Sequence, residues 1–201
     1  LTPITDALTV DGGPPGPITV EPPIPAASMS ARELTPYEPE AISGATLTTN
    51  LGTTSTVTLI AGRTYYVPLG ALPWSCIVNL AQAEVVSAGA VAVGLYLERP
   101  NVRPGMPSTP LIWQAQAARS TGILSAPTQD PYGVLGLDVG MKVWVGVRTD
   151  GTATVKGYAT PGATACWYED NTTAEVPPWP SATLTAVGSG DPVPWGRLVV
   201  E

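Results

Sequence analysis

The side chains that could do chemistry in this chain are few in kind. No histidine occurs among its 201 residues, so Ser-His-Asp and Cys-His arrangements, His-ligated metal centres and His acid/base pairs are all excluded. Two cysteines without histidine cannot complete a tetrahedral zinc site within one chain. Neither a phosphate-cradling Gly-Lys-Ser/Thr loop nor a Gly-x-Ser-x-Gly elbow is present. Four carboxylates, Asp130, Asp138, Glu169 and Asp170, could in principle run glycoside hydrolysis as a facing pair, but their spacing singles out no pair from an acidic surface. Glu169-Asp-Asn171 and Asp130 also offer hard oxygens, yet no dedicated calcium-loop spacing accompanies them. The expectation is a protein with no catalytic residues, no metal and no cofactor.

The remaining candidates are thiols and aromatic rings. Cys76 lies in Trp74-Ser-Cys-Ile-Val-Asn-Leu80 and Cys166 in Ala163-Thr-Ala-Cys-Trp-Tyr168. Both contexts are strand-like, so two buried thiols are expected rather than a disulfide. Of six tryptophans, most lie in or beside strand-like segments and read as packing. Trp179 in Pro177-Pro-Trp-Pro180 and Trp195 in Pro192-Val-Pro-Trp195 differ, because each falls in a Pro-flanked loop. There a ring can anchor against a neighbouring chain or stack on a sugar.

The elements that must position these residues are strands. Pro and Gly number 23 and 21, which rules out long helices as the main building element. Apolar residues at 44% suffice for a core, while charged residues at 12% are few and Thr, at 25, is abundant. That mixture suits an all-β protein. Its net charge of -7 with only Lys142 and Lys156 as lysines argues against nucleic acid, whose binding depends on basic clusters. The longest apolar run, Ala90 to Leu97, is eight residues, against roughly 20 for a bilayer-spanning helix, and no membrane insertion is expected. The start, Leu1 to Val10, lacks the basic segment of a secretory signal.

Three segments emerge. Residues 1–44 hold nine prolines within the first 39 positions and read as an extended, polyproline-like arm. Residues 45–187 show short strands separated by turn residues about every ten positions, the pattern of an antiparallel β-sandwich. Residues 188–201 read as a C-terminal tail or strand. Strands are expected near 45–49, 56–60, 64–67, 76–81, 90–98, 111–117, 134–137, 141–149, 152–158, 163–168, 182–187 and 197–200. Arg99 to Pro110, with four prolines, is expected to be a projecting loop. Around Asp150 a hairpin is expected, with a three-residue loop Thr149-Asp150-Gly151 and Gly151 left-handed. That register pairs Val145 with Val155 and Trp144 with Lys156, whereas a two-residue loop would place Lys156 against the core.

Four stretches carry a resemblance: Leu59-Ile-Ala-Gly-Arg-Thr-Tyr-Tyr-Val-Pro68, Val85-Val-Ser-Ala-Gly-Ala-Val-Ala-Val-Gly-Leu-Tyr96, Ser120-Thr-Gly122 and Leu137-Asp-Val-Gly-Met-Lys-Val-Trp-Val-Gly-Val147. Together they resemble a β-sandwich, jelly-roll-like module of tailed-bacteriophage virion proteins. The resemblance covers residues 59–158. It implies a structural protein exposed on the particle as a capsid decoration or head-spike or fibre base, assembled in the bacterial cytoplasm and residing in the virion. Its partners would be other capsid or tail subunits and further copies of itself. The arm would lay Ile4, Leu8, Val10, Ile18, Val20 and Ile24 into grooves or along sheet edges of neighbours. The alternatives are a tail-fibre or host-receptor-binding protein that engages a host-surface glycan, and a secreted carbohydrate-binding module with Trp179, Trp113 and Tyr132 as its platform.

Overall fold

The computed structural model describes residues 45–112, 120–127, 135–161, 166–170, 176–177 and 179–200. These form an all-β, antiparallel sandwich of two sheets. The arm residues Ile4, Leu8, Val10, Ile18, Val20 and Ile24 lie outside the described residues, as do Trp113, Asp130, Tyr132 and Asn171.

The first sheet contains β1 (Ala45–Thr48), β2 (Ser55–Thr58), β4 (Cys76–Val85), β7 (Gly122–Pro127), β8 (Leu135–Leu137), β10 (Thr154–Tyr158), β13 (Val193–Pro194) and β14 (Arg197–Val200). The second runs β12 (Thr185–Ala186), β11 (Trp167–Asp170), β3 (Arg63–Ala71), β9 (Lys142–Thr149), β5 (Val91–Glu98) and β6 (Pro107–Ile112) in spatial order. Side-chain alternation decides what lies between them. Val91, Val93 and Leu95 of β5 and Val143, Val145 and Val147 of β9 point inward, where they meet Val155 of β10 and Leu198 and Val200 of β14. In β4 the inward set is Cys76 and Val78, then Ala81, Ala83 and Val85. The change of parity coincides with a register irregularity opposite Val199 and Val200, as expected where one extra residue enters a strand. Both cysteines are free and buried.

The expected hairpin around Asp150 does not form. β9 lies between β3 and β5 in one sheet, and β10 pairs with β2, β4 and β13 in the other. Both edges of β9 are occupied, so β10 has no edge of it to join. Asp150 Oδ1 accepts from the Thr152 amide at 2.9 Å and its hydroxyl at 2.7 Å, and Gly151 adopts φ +84°. The left-handed glycine is therefore present, but this turn sends the chain across the sandwich. Trp144 stands opposite Pro68 and Tyr96, and Lys156 opposite Thr56.

Two further differences concern proline and short strands. Arg99–Met106 is a turn, with Val102 and Arg103 amides donating to the Arg99 carbonyl at 2.9 and 2.8 Å, but 107–110, expected to continue the loop, already belongs to the strand that runs to Ile112. β6 is at the end of its sheet, where Pro107 and Pro110 are tolerated because an edge strand has one side free of ladder bonds. β7 and β13 were not expected at all. The strand expected at 197–200 is present as β14 and runs between β1 and β4.

Candidate interaction face and the strap that covers it

The second sheet is apolar on both faces. Its inner face belongs to the main core, while Tyr66, Ala92, Tyr96 and Trp144 form a second buried cluster on the outer face with Val176. Local register builds this face. Tyr66 of β3, Gly146 of β9 and Gly94 of β5 stand side by side, leaving a trough without side chains into which tyrosine rings fold. A Cβ added at Gly146 would lie 2.6 Å from Tyr96 Cε2 and 3.4 Å from Tyr66 Cε1. The two rings meet edge to face with centroids 5.0 Å apart, a favoured aromatic geometry.

Residues 176–177 and 179–184 are strapped over this cluster. The Tyr66 hydroxyl donates to Glu169 Oε1, and the Ser181 amide donates to Glu169 Oε2 at 2.6 Å. The Tyr96 hydroxyl donates to the Pro177 carbonyl at 2.6 Å. Arg103 Nη2 donates to the Ala182 carbonyl at 3.2 Å, tying the strap to the 99–106 turn. Trp167 Nε1 donates to the Gly105 carbonyl at 2.8 Å from the same side. Beyond the strap, β12 pairs with β11. Burial holds both phenols well above the ordinary tyrosine pKa, with the neighbouring carboxylate adding to the effect. They are neutral hydrogen-bond donors throughout the normal pH range.

Trp179 rides on this strap and is 63% exposed, while Pro180 beside it is buried. It is the one exposed aromatic among the described residues. Val102, at the tip of the turn that Arg103 ties to the strap, is also exposed.

Trp195 is placed differently from the loop position that made it a candidate. It is buried in the main core, its amide donates to the Lys156 carbonyl at 2.9 Å, and its ring is flanked by Lys156 Nζ at 4.7 Å and the Arg197 guanidinium at 5.7 Å from the centroid. Two strands, β13 and β14, bracket it and turn its ring into intrachain packing. Pro-flanking alone could not distinguish the two tryptophans, because a short β-strand can also contain proline at its end.

Among the described residues, Glu169 and Asp170 do not form a facing pair. Glu169 and Asp170 are consecutive in β11 and so project to opposite faces. Glu169 is buried under the strap, whereas Asp170 is exposed and bonded to Arg63 Nε at 3.2 Å. Asp138 is exposed in the turn before β9. Among the described residues there is no group of three or more His, Cys, Asp or Glu that could hold a metal ion. Burial pushes the Cys166 thiol up to about 12 and also raises Cys76, so neither is poised as a thiolate nucleophile.

The strap contacts were not anticipated from sequence. One signal for them was available: β9 alternates Val with Trp144 and Gly146, a pattern whose second face is neither charged nor hydroxylated between Lys142 and Arg148. Such a face needs a cover. No family model matches this chain, and no curated protein matches it either.

Proposed function

We propose that this chain is a structural binding component of a tailed-bacteriophage virion, displayed on the particle surface and attached to neighbouring subunits through residues 1–44. The observation that supports a binding role is the use made of polar groups on the outer face. Tyr66, Tyr96 and Glu169 are committed to fixing a backbone strap, and that strap projects Trp179 into solvent. A protruding ring on a firmly held segment is a suitable anchor, because little side-chain and backbone freedom remains to be lost on docking. The virion assignment rests on the resemblance of residues 59–158, and the Pro-rich composition of the arm suits docking at low entropic cost. Capsid decoration or a head-spike or fibre base is the preferred position, with host-receptor binding as the alternative at the Trp179 face.

Removal of residues 1–40 tests the attachment. The truncated protein is expected to keep the all-β circular dichroism and cooperative unfolding of the full chain yet fail to cosediment with particles. Cosedimentation at full occupancy would overturn the role of the arm. Copy number by quantitative proteomics of purified particles separates positions: hundreds of copies place the protein in the shell, a handful at a vertex or tail. Absence from the particle removes the virion reading altogether.

A further inference from the structure

Trp179 and Val102 are the two most exposed large apolar side chains among the described residues, at 63% and 66%, and one hydrogen bond relates the segments that carry them. Arg103, next to Val102, donates from Nη2 to the Ala182 carbonyl at 3.2 Å. Ala182 is three residues beyond Trp179, so their Cα atoms are at most about 11 Å apart. An exposed indole, an exposed valine and a guanidinium therefore share one patch. The patch is also basic: residues 99–106 hold Arg99 and Arg103 and no carboxylate, a formal +2 on a chain of -7. Arg63, Lys142 and Lys156 are paired with Asp170, Glu98 and Glu84, whereas among the described residues no ion pair joins Arg99 or Arg103 to a carboxylate. Their charge is left for a partner.

The opposite charge is concentrated in the arm. Residues 1–44 carry Asp6, Asp11, Glu21, Glu33, Glu38 and Glu40 against Arg32 alone, so a net -5 of the chain's -7 falls there. Within the arm, Glu21-Pro-Pro-Ile-Pro25 is the stretch that joins adjacent prolines directly to a carboxylate. Proline-rich segments dock on aromatic side chains and lose little conformational freedom in doing so, and a charge pair beside such a contact fixes its register. Residues 26–44 tether this stretch to β1 and span at most about 65 Å, enough to reach a copy packed alongside.

We infer that Trp179 is the receptor for Glu21–Pro25 of a second copy of this chain: Pro22 and Pro23 pack on the indole beside Val102, and the Glu21 carboxylate pairs with the guanidinium of Arg103. The inference rests on the reading of residues 1–44 as an attachment arm and adds the surface that the arm grips. Donor and receptor are different surfaces, so the contact is heterologous and passes from copy to copy, closing into a ring or extending as a chain.

Sedimentation velocity of the full chain over a broad range of concentration tests this. The parent should associate beyond a dimer, and less at high salt because the charge pair is screened. Trp179→Ala should weaken association at least about thirtyfold, as the loss of an anchoring ring does, and the arm variant Glu21→Gln/Pro22→Gly/Pro23→Gly at least about tenfold. Mixed in equal amounts, the two variants should form one-to-one heterodimers and nothing larger, since one retains only the arm segment and the other only the ring. Trp179 is exposed and residues 21–23 precede every strand, so unchanged circular dichroism is expected of both. A parent that is monomeric throughout, association indifferent to either variant, or a mixture that stays monomeric would overturn the inference. Saturable binding of alginate oligomers by a monomeric parent and not by Trp179→Ala would also overturn it, by assigning the ring to an anionic glycan. A monomeric parent that still needs residues 1–40 to cosediment with particles overturns this receptor while leaving the attachment reading in place. Association through Trp179 by a protein absent from particles supports the receptor and removes the virion reading.

Discussion

Tyr66→Phe removes one oxygen from the centre of the strap. The ring keeps its packing, because its edge contact with Tyr96 and its place beside Gly146 involve only carbon. What is lost is the donor to Glu169 Oε1, leaving a nearly buried carboxylate held by the Ser181 amide. A hydrogen bond to a charged acceptor contributes about 1.5–3 kcal/mol. For a domain of this size each kcal/mol moves Tm by roughly 2–4 °C, so Tyr66→Phe should lower it by about 3–12 °C. Tyr96→Phe removes a neutral bond to the Pro177 carbonyl, about 0.5–1.5 kcal/mol, and should cost less. The loss should also be local. The Ser181 amide reaches solvent only when the strap lifts, so its hydrogen exchange should quicken by roughly ten- to 150-fold in Tyr66→Phe, with less change in β9 amides under conditions where exchange there does not require strap opening. Calorimetry and residue-resolved exchange read both effects, and a double-mutant cycle with Glu169→Gln should give a coupling of at least about 1 kcal/mol. A Tm within 1 °C of the parent together with unchanged Ser181 exchange would refute the idea that this bond fastens the strap.

Two other perturbations probe the sandwich itself. A Cβ at Gly157 would lie 2.3 Å from the Val193 carbonyl oxygen and 2.5 Å from Val57 Cγ2, and the backbone oxygen cannot move without disturbing the β10–β13 pairing. Gly157→Ala should therefore cost about 3 kcal/mol or more in urea unfolding, whereas Gly136→Ala, with no atom within 4 Å of its Cβ, should be within about 0.5 kcal/mol of the parent. Alkaline stability should fall in a defined window. The Cys166 thiol is held up to about 12 in the fold against an ordinary value near 8.5, so the native state keeps a proton that the unfolded chain releases. Its contribution is whole below about pH 8.5 and is lost as pH rises toward about 12, by up to about 1.4 kcal/mol per pH unit. Tyr66 and Tyr96, also raised, add a further loss starting near pH 10. Urea midpoints measured from pH 8 to 11 should decline less steeply in Cys166→Ala, and identical slopes would remove the thiol from the explanation.

The strands legible from sequence were those with one strong period. Val143, Val145 and Val147 alternate cleanly, and the structure places all three in the main core. Partner choice was not legible, because alternation specifies a face and says nothing of which edge is taken. The Asp150 turn illustrates the gap: its residues suit a hairpin, yet the same left-handed glycine serves a crossover once β3 and β5 flank β9. Proline misled for a related reason. In 99–110 it was read as ending regular structure, whereas an edge strand accommodates it, and edge position is a property of the assembled sheet.

The same reasoning explains why Trp179 was identifiable and the strap beneath it was not. A ring between prolines is visible in residues 177–180 themselves, although the same cue marked Trp195, which the assembled strands bury. A strap requires in addition that distant donors and acceptors coincide, here Tyr66, Tyr96 and Glu169, separated from each other by 30 to 103 positions. Gly146 is what lets them coincide, since any side chain there would displace the Tyr96 ring and with it the hydroxyl that holds Pro177. The outer trough, the two phenols and the exposed tryptophan thus depend on one another: remove the glycine and the rings lift, lift the rings and the strap loses its fastenings, loosen the strap and Trp179 no longer projects from a fixed support.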